Sequence, residues 1–181
     1  MRSLKPGPLF LLFVFFVFGA AVPPVRALEP AYVSLSAGAF NLRSATRPEV
    51  AGEVRFGRHR FHWLPGFIPE LSPATGVMVN SQGAFYVYGG LRADMPLGPR
   101  ESSPWELSIQ FAPGIYSHGN KGFKLGGPVE FRSAIEVSRR LGGPGDNRGR
   151  IGLMLFHLSN AHLYTHNPGS ESLVVTYSFR P

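Results

Sequence analysis

A two-residue rhythm recurs in eight segments of roughly ten residues each, and it limits this chain to a narrow set of folds. Successive side chains of a strand point to opposite faces, so alternation of apolar and polar residues marks a strand with two unlike sides. In the first segment Ala31, Val33, Leu35, Ala37 and Ala39 share a face, opposite Ser34, Ser36 and Gly38. In the second, Val50, Val54 and Phe56 oppose Glu49, Glu53 and Arg55. The third, near 67–78, is irregular and carries Pro69 and Pro73. The fourth sets Phe85, Val87, Leu91, Ala93 and Met95 against Tyr86, Tyr88, Arg92 and Asp94. The fifth sets Trp105, Leu107, Ile109 and Phe111 against Glu106, Ser108 and Gln110. The sixth sets Val129, Phe131, Ile135 and Val137 against Glu130, Arg132, Glu136 and Ser138. The seventh, 150–160, is apolar on both faces until its end, and the eighth sets Leu173, Val175, Tyr177 and Phe179 against Ser172, Thr176 and Ser178.

Turn chemistry separates these segments. Pro96-Leu97-Gly98-Pro99, His118-Gly119-Asn120-Lys121-Gly122, the 142–147 stretch of glycine, proline, Asp146 and Asn147, and Asn167-Pro168-Gly169 supply the backbone angles that tight turns need. No segment beyond residue 27 sustains an apolar helical stripe between caps. An all-β, antiparallel, eight-stranded barrel is the expected architecture, with strands of the length that crosses a bilayer. Alternation alone leaves two barrels open. A soluble barrel turns its apolar face inward, and a membrane barrel turns it to lipid. The charged face (Glu53, Arg55, Arg92, Asp94, Glu106, Glu130, Arg132, Glu136) carries both signs, so it suits either a paired interior or a solvated exterior.

Residues 1–27 have the layout of an export signal. Arg2 and Lys5 precede an unbroken apolar run from Leu9 to Phe18, and Ala27 offers a small residue at a cleavage point. The run is shorter than the ~20 residues of a spanning helix. Residues 28–181 then form one domain, a size that fits a single core. The formal charge of +7 falls to +4 without Arg2, Lys5 and Arg26, and no Lys/Arg run remains, which removes most support for nucleic-acid binding. Cysteine is absent, so disulfides, thiolate catalysis and cysteine-based zinc sites are excluded.

Chemistry concentrates at the seventh and eighth segments. His157 and Ser159 are two apart, hence on one face, and share the parity of Leu153 and Leu155. Glu171 shares the parity of Leu173 and Val175, and consecutive antiparallel strands bring it beside the end of the seventh. Three polar groups on apolar faces are costly unless they have a purpose. An imidazole that takes the serine proton, oriented by a carboxylate, is the logic of a Ser-His-acid triad. Asn160 and Asn167 are candidate oxyanion donors. A metal set of His157, His162 and His166 has weaker support, since two of these sit in a polar loop and the spacing matches no helix-borne pair. A second serine–histidine pair, Ser117-His118, has the composition of a loop.

The string His157-Leu158-Ser159-Asn160-Ala161, followed by Asn167-Pro168-Gly169 and Glu171, resembles the lipid A 3-O-deacylases of the PagL type, within the acyloxyacyl hydrolase family. The stretches Glu130-Phe131-Arg132-Ser133-Ala134-Ile135-Glu136 and Tyr86-Val87-Tyr88-Gly89-Gly90-Leu91 resemble it as well. The resemblance is concentrated in about 128–179. It implies an outer-membrane β-barrel whose His157, Ser159 and Glu171 face lipid, with Ser159 the nucleophile, His157 the base and Glu171 the acid. It further implies Asn160 as an oxyanion donor and Asn167 as its companion in the loop, hydrolysis of an ester-linked acyl chain of lipid A in the outer leaflet, and no metal or organic cofactor. A non-catalytic outer-membrane barrel and a periplasmic lipid-binding barrel are the competing classes.

Overall fold

The computed structural model describes residues 30–44, 46–60, 65, 69–99, 103–143 and 149–181. Eight strands follow in chain order: β1 Pro30–Phe40, β2 Arg47–Phe56, β3 Leu71–Asn80, β4 Phe85–Pro96, β5 Trp105–Ser117, β6 Val129–Arg140, β7 Arg150–Ser159 and β8 Ser170–Phe179. Each pairs antiparallel with the next, and β1 pairs with β8 from Val33↔Phe179 to Ala39↔Leu173, which closes the barrel. Closure leaves no strand edge exposed. Among the described residues there is no helix. The expected export signal, 1–27, lies outside the described residues, as do positions 67 and 68 of the expected third strand and 144–147 of the turn after β6.

One strand differs from the sequence expectation. The third begins at Leu71 rather than near 67, and it accommodates Pro73. The β2–β3 ladder reaches only to Ala74 opposite Arg55, so Pro73 lies just past its end, where a residue without an N–H is tolerated. The fifth runs through Pro113 and Gly114 to Ser117, directly before the expected turn at His118. Gly114 admits a close neighbour there: an added Cβ would sit 2.6 Å from the Tyr86 ring.

The sidedness that alternation left open is settled by burial. Leu35, Val50, Ile109, Ile115, Leu153 and Val175 face outward, each at least 50% exposed. Glu53, Arg55, Arg92, Glu106, Arg132 and Glu136 face inward, none more than 7% exposed. An apolar belt around a charged interior is the arrangement of a barrel that crosses a bilayer.

Buried charges are tolerable only when paired and hydrogen-bonded. Arg92 bonds Glu136 at 2.6 Å and Asp94 at 2.8 Å, and Ser108 donates to the same Asp94 oxygen at 2.7 Å. Glu53 accepts from Gln110 at 2.8 Å and from Tyr88 at 3.0 Å. Arg132 donates to Gln110 and lies over the Phe156 ring. Elsewhere the interior is filled by Phe40, Met78, Tyr86, Tyr116, Leu125 and Leu158. The Tyr86 hydroxyl ties the β5 and β6 backbones together, its one proton shared between the Ala112 and Glu130 carbonyls at 2.9 and 3.0 Å. Among the described residues, one rim of the barrel is made by the connections 41–44 with 46, 81–84, 118–128 and 160–169, and the other by 57–60, 69–70, 97–99, 103–104, 141–143 and 149.

Candidate active site

β7 and β8 present one outward-facing row of polar groups at the first of these rims. Register sets His157 directly opposite Glu171, and opposite Ser133 on the other side. The His157 Nδ1 lies 3.1 Å from Glu171 Oε1. With Nδ1 facing the carboxylate, Nε2 is the nitrogen left to act as base. Ser159 follows two residues on, along the same face, opposite Phe131 of β6. Side chains so spaced stand roughly 7 Å apart at the backbone, within joint reach of an imidazole and a hydroxymethyl group. His157 and Glu171 are therefore brought together as expected from parity, with Ser159 next along the strand.

The local chain explains why the row ends here. After Ser159 the chain turns tightly: Leu163 N–H donates to Asn160 O at 2.9 Å, and the two central residues, Ala161 and His162, both have positive φ (50° and 62°). That is the pattern of a type I′ turn, built here without glycine. Asn160 points inward and is fully buried, on the opposite side of the strand from Ser159. Its Nδ2 donates to the carbonyls of Leu125 and His166, both at 2.9 Å, so both amide hydrogens are spent on joining the 118–128 and 160–169 connections. The Asn160 side chain thus has no free N–H for an oxyanion. Its backbone N–H is held by Asn167 Oδ1 at 3.1 Å, and Asn167 Nδ2 faces His162 Nδ1 at 3.5 Å.

The other two histidines of the candidate metal set stand apart from the row. His162 and His166 are exposed on the 160–169 connection. Ser117 accepts the Gly119 N–H at 3.4 Å, a contact internal to its turn.

Three features were not evident from the sequence. Gly169 packs under the imidazole: an added Cβ would lie 2.7 Å from His157 Cε1, and its φ is +65°. Arg43, in the β1–β2 connection, places Nη2 2.8 Å from Glu171 Oε1, the same oxygen that faces His157. Barrel closure produces that contact, and Leu42 N–H donates to Glu171 O at 2.9 Å beside it. The only signal available in the sequence was that β1 must neighbour β8 in any closed eight-stranded sheet. Lastly, an open groove of about 380 Å³ starts at His157 and Glu171 and is lined by Ile109, Phe111, Ile135 and Leu155 of the outward face. Gln110 and Ser133 also line it, but its exposed wall is mostly apolar.

Comparisons with known proteins fit this geometry. The family model described as lipid A 3-O-deacylase (PagL) matches residues 53–180. A structure titled "Crystal structure of the outer membrane enzyme PagL" superposes with a TM-score of 0.65 at 17% sequence identity, covering 83% of this chain and 100% of that one. No curated protein matches the sequence.

Proposed function

The chain belongs to the PagL lipid A 3-O-deacylase family, and on that premise we propose that it is an outer-membrane serine esterase that hydrolyses the 3-O-linked acyl chain of lipid A. One observation carries the mechanistic part of this reading: the in-register His157–Glu171 pair, 3.1 Å apart, on a face otherwise given to lipid. Such a pair is expensive on an apolar surface unless it is used.

In this mechanism Glu171 holds the imidazole with Nε2 free, and His157 takes the Ser159 hydroxyl proton as Oγ attacks the ester carbonyl carbon. The tetrahedral intermediate collapses by breaking the bond to the sugar oxygen, which receives the proton from His157. The acyl group is then on Ser159. Water, deprotonated by His157, attacks the acyl carbonyl, the bond to Oγ breaks, and the serine recovers its proton. The fatty acid leaves into the bilayer. Asn167 is the side-chain amide assigned to the substrate oxyanion, and Asn160 acts by position, because its donors hold the two connections together. The apolar groove takes the acyl chain, so the substrate reaches Ser159 by lateral diffusion. In this proposal residues 1–27 are a cleaved export signal, and the rim that carries 160–169 faces outward, where lipid A resides.

The test is mass spectrometry of lipid A incubated with the purified protein in detergent. Loss of one ester-linked acyl chain, with release of the free hydroxy fatty acid and no loss with Ser159→Ala, is the expected result. Intact lipid A after incubation with folded protein would leave a non-catalytic barrel as the better account.

A further inference from the structure

Arg43 occupies an unusual place. Its guanidinium is within 2.8 Å of Glu171 Oε1, closer than His157 at 3.1 Å, and the two cationic or potentially cationic groups share that one oxygen. Glu171 Oε2 is buried and has no hydrogen-bond partner. The Arg43 side chain is otherwise 73% exposed, so most of its donors face outward from the rim. An oxygen already bonded to a guanidinium is a poorer acceptor for the imidazole N–H, because both donors compete for the same lone pairs. The acid would orient and stabilise the base better with Arg43 elsewhere.

The surroundings say what would draw it away. The four connections of this rim carry Arg43, Lys121 and Lys124 and no acidic residue, a net charge of +3, against +1 for those of the opposite rim, where Arg58, Arg60, Arg100 and Arg148 outnumber Glu70, Glu101 and Asp146. This rim is therefore the more positive of the two, and the carboxylate that Arg43 meets there is Glu171 at the start of β8. We infer that Arg43 is a specificity-determining residue that binds a phosphate group on the sugar of the substrate and, in doing so, leaves Glu171 to His157. A guanidinium matches a phosphate through two parallel charge-assisted hydrogen bonds, a better partner than one shared carboxylate oxygen. Headgroup binding and activation of the base would then be one event. The inference rests on the proposed esterase reading for its kinetic consequence, while its binding consequence stands apart from that reading.

The experiment uses the full-length protein in detergent with two substrates, bisphosphorylated lipid A and the same lipid enzymatically dephosphorylated. Arg43→Gln is expected to lower the preference for the phosphorylated substrate, the ratio of the two kcat/KM values, by about tenfold or more, through a higher KM for the phosphorylated lipid and a higher kcat for the dephosphorylated one. Arg43→Lys, which keeps the charge but not the fork, should recover part of it. An equal fall on both substrates, or an undiminished preference, would overturn the inference. In parallel, binding of each lipid is measured to Ser159→Ala with and without Arg43→Gln. Phosphate-dependent affinity should disappear with Arg43→Gln, and retention would count against the role of Arg43 whether or not the protein proves to be an esterase. Inorganic phosphate at millimolar concentration, added as competitor, separates recognition of the lipid's own phosphate from capture of free phosphate: the former predicts weak competition, and full displacement of lipid would overturn it. Failure of the esterase reading shows separately, as absence of fatty-acid release by the unsubstituted protein.

Discussion

At the scale of single residues, the site depends on small distances around one imidazole. Ser159→Ala and His157→Ala are each expected to abolish release of fatty acid while the barrel still folds, because each removes a reacting group from the outer surface. Glu171→Ala should keep a remnant, since the acid orients and does not react. Heat-modified gel mobility reports folding, and fatty-acid release reports activity. Full activity in folded Ser159→Ala would sink the mechanism. Gly169→Ala tests position alone. Its Cβ would stand 2.7 Å from His157 Cε1, in a backbone conformation that disfavours alanine. A displacement of the ring of about 1 Å can cost on the order of 10²-fold. The expected result is a loss of that size in kcat with no change of lipid binding, and wild-type turnover would show that the ring has room to move.

Elements act through their ends. The β7–β8 turn places two non-glycine residues at positive φ immediately after the serine. Glycine relieves that strain but brings more freedom in the unfolded chain, and the balance favours Ala161→Gly by about 0.5–1 kcal/mol. A higher temperature for the heat-modified mobility transition would show it, and a lower one would mean that the Ala161 methyl group has contacts worth more than the strain. Asn160→Ala should act oppositely. It removes the donor shared by the Leu125 and His166 carbonyls, leaving both to find other partners, at a cost of about 1–3 kcal/mol. The loop that carries Asn167 then loosens, so activity should fall along with stability.

For the whole molecule, the inversion of inside and outside makes the two faces of one strand respond differently to charge. Val175 faces outward from the middle of β8, opposite Leu153. Val175→Arg should cost about 2–4 kcal/mol of folding into lipid vesicles, as for a cation near the bilayer midplane. Glu136→Leu, on the inner face, removes the 2.6 Å partner of Arg92 and leaves it Asp94 at 2.8 Å. Stranding a buried charge outright costs about 3–5 kcal/mol; with Asp94 still in place the loss should fall below that range, but an apolar substitution is still destabilising inside this barrel. Urea titrations in vesicles distinguish the pair, and tolerance of Val175→Arg with a soluble product would contradict the bilayer assignment. Orientation has its own test: a tag at Tyr164 should be labelled on intact cells, and one at Gly143 should not.

The sequence by itself determined the number of strands, their two-faced character and the parity that sets His157, Ser159 and Glu171 on apolar faces, because a strand's period of two is a local property of the backbone. It also determined which residues could not take part, since cysteine is absent throughout. Strand ends were less legible, as Pro73 shows: whether a proline stops a strand depends on which neighbour lies across from it. Which face meets lipid depended on the tertiary structure, because alternation is unchanged when a barrel is turned inside out, and the burial of Arg92, Asp94 and Glu136 as a paired group in one interior, with Leu153 and Val175 outside, distinguishes the two. The same holds for Arg43. It stands 128 positions before Glu171, and nothing along the chain relates them until closure of β1 onto β8 puts a guanidinium and an imidazole on one carboxylate oxygen.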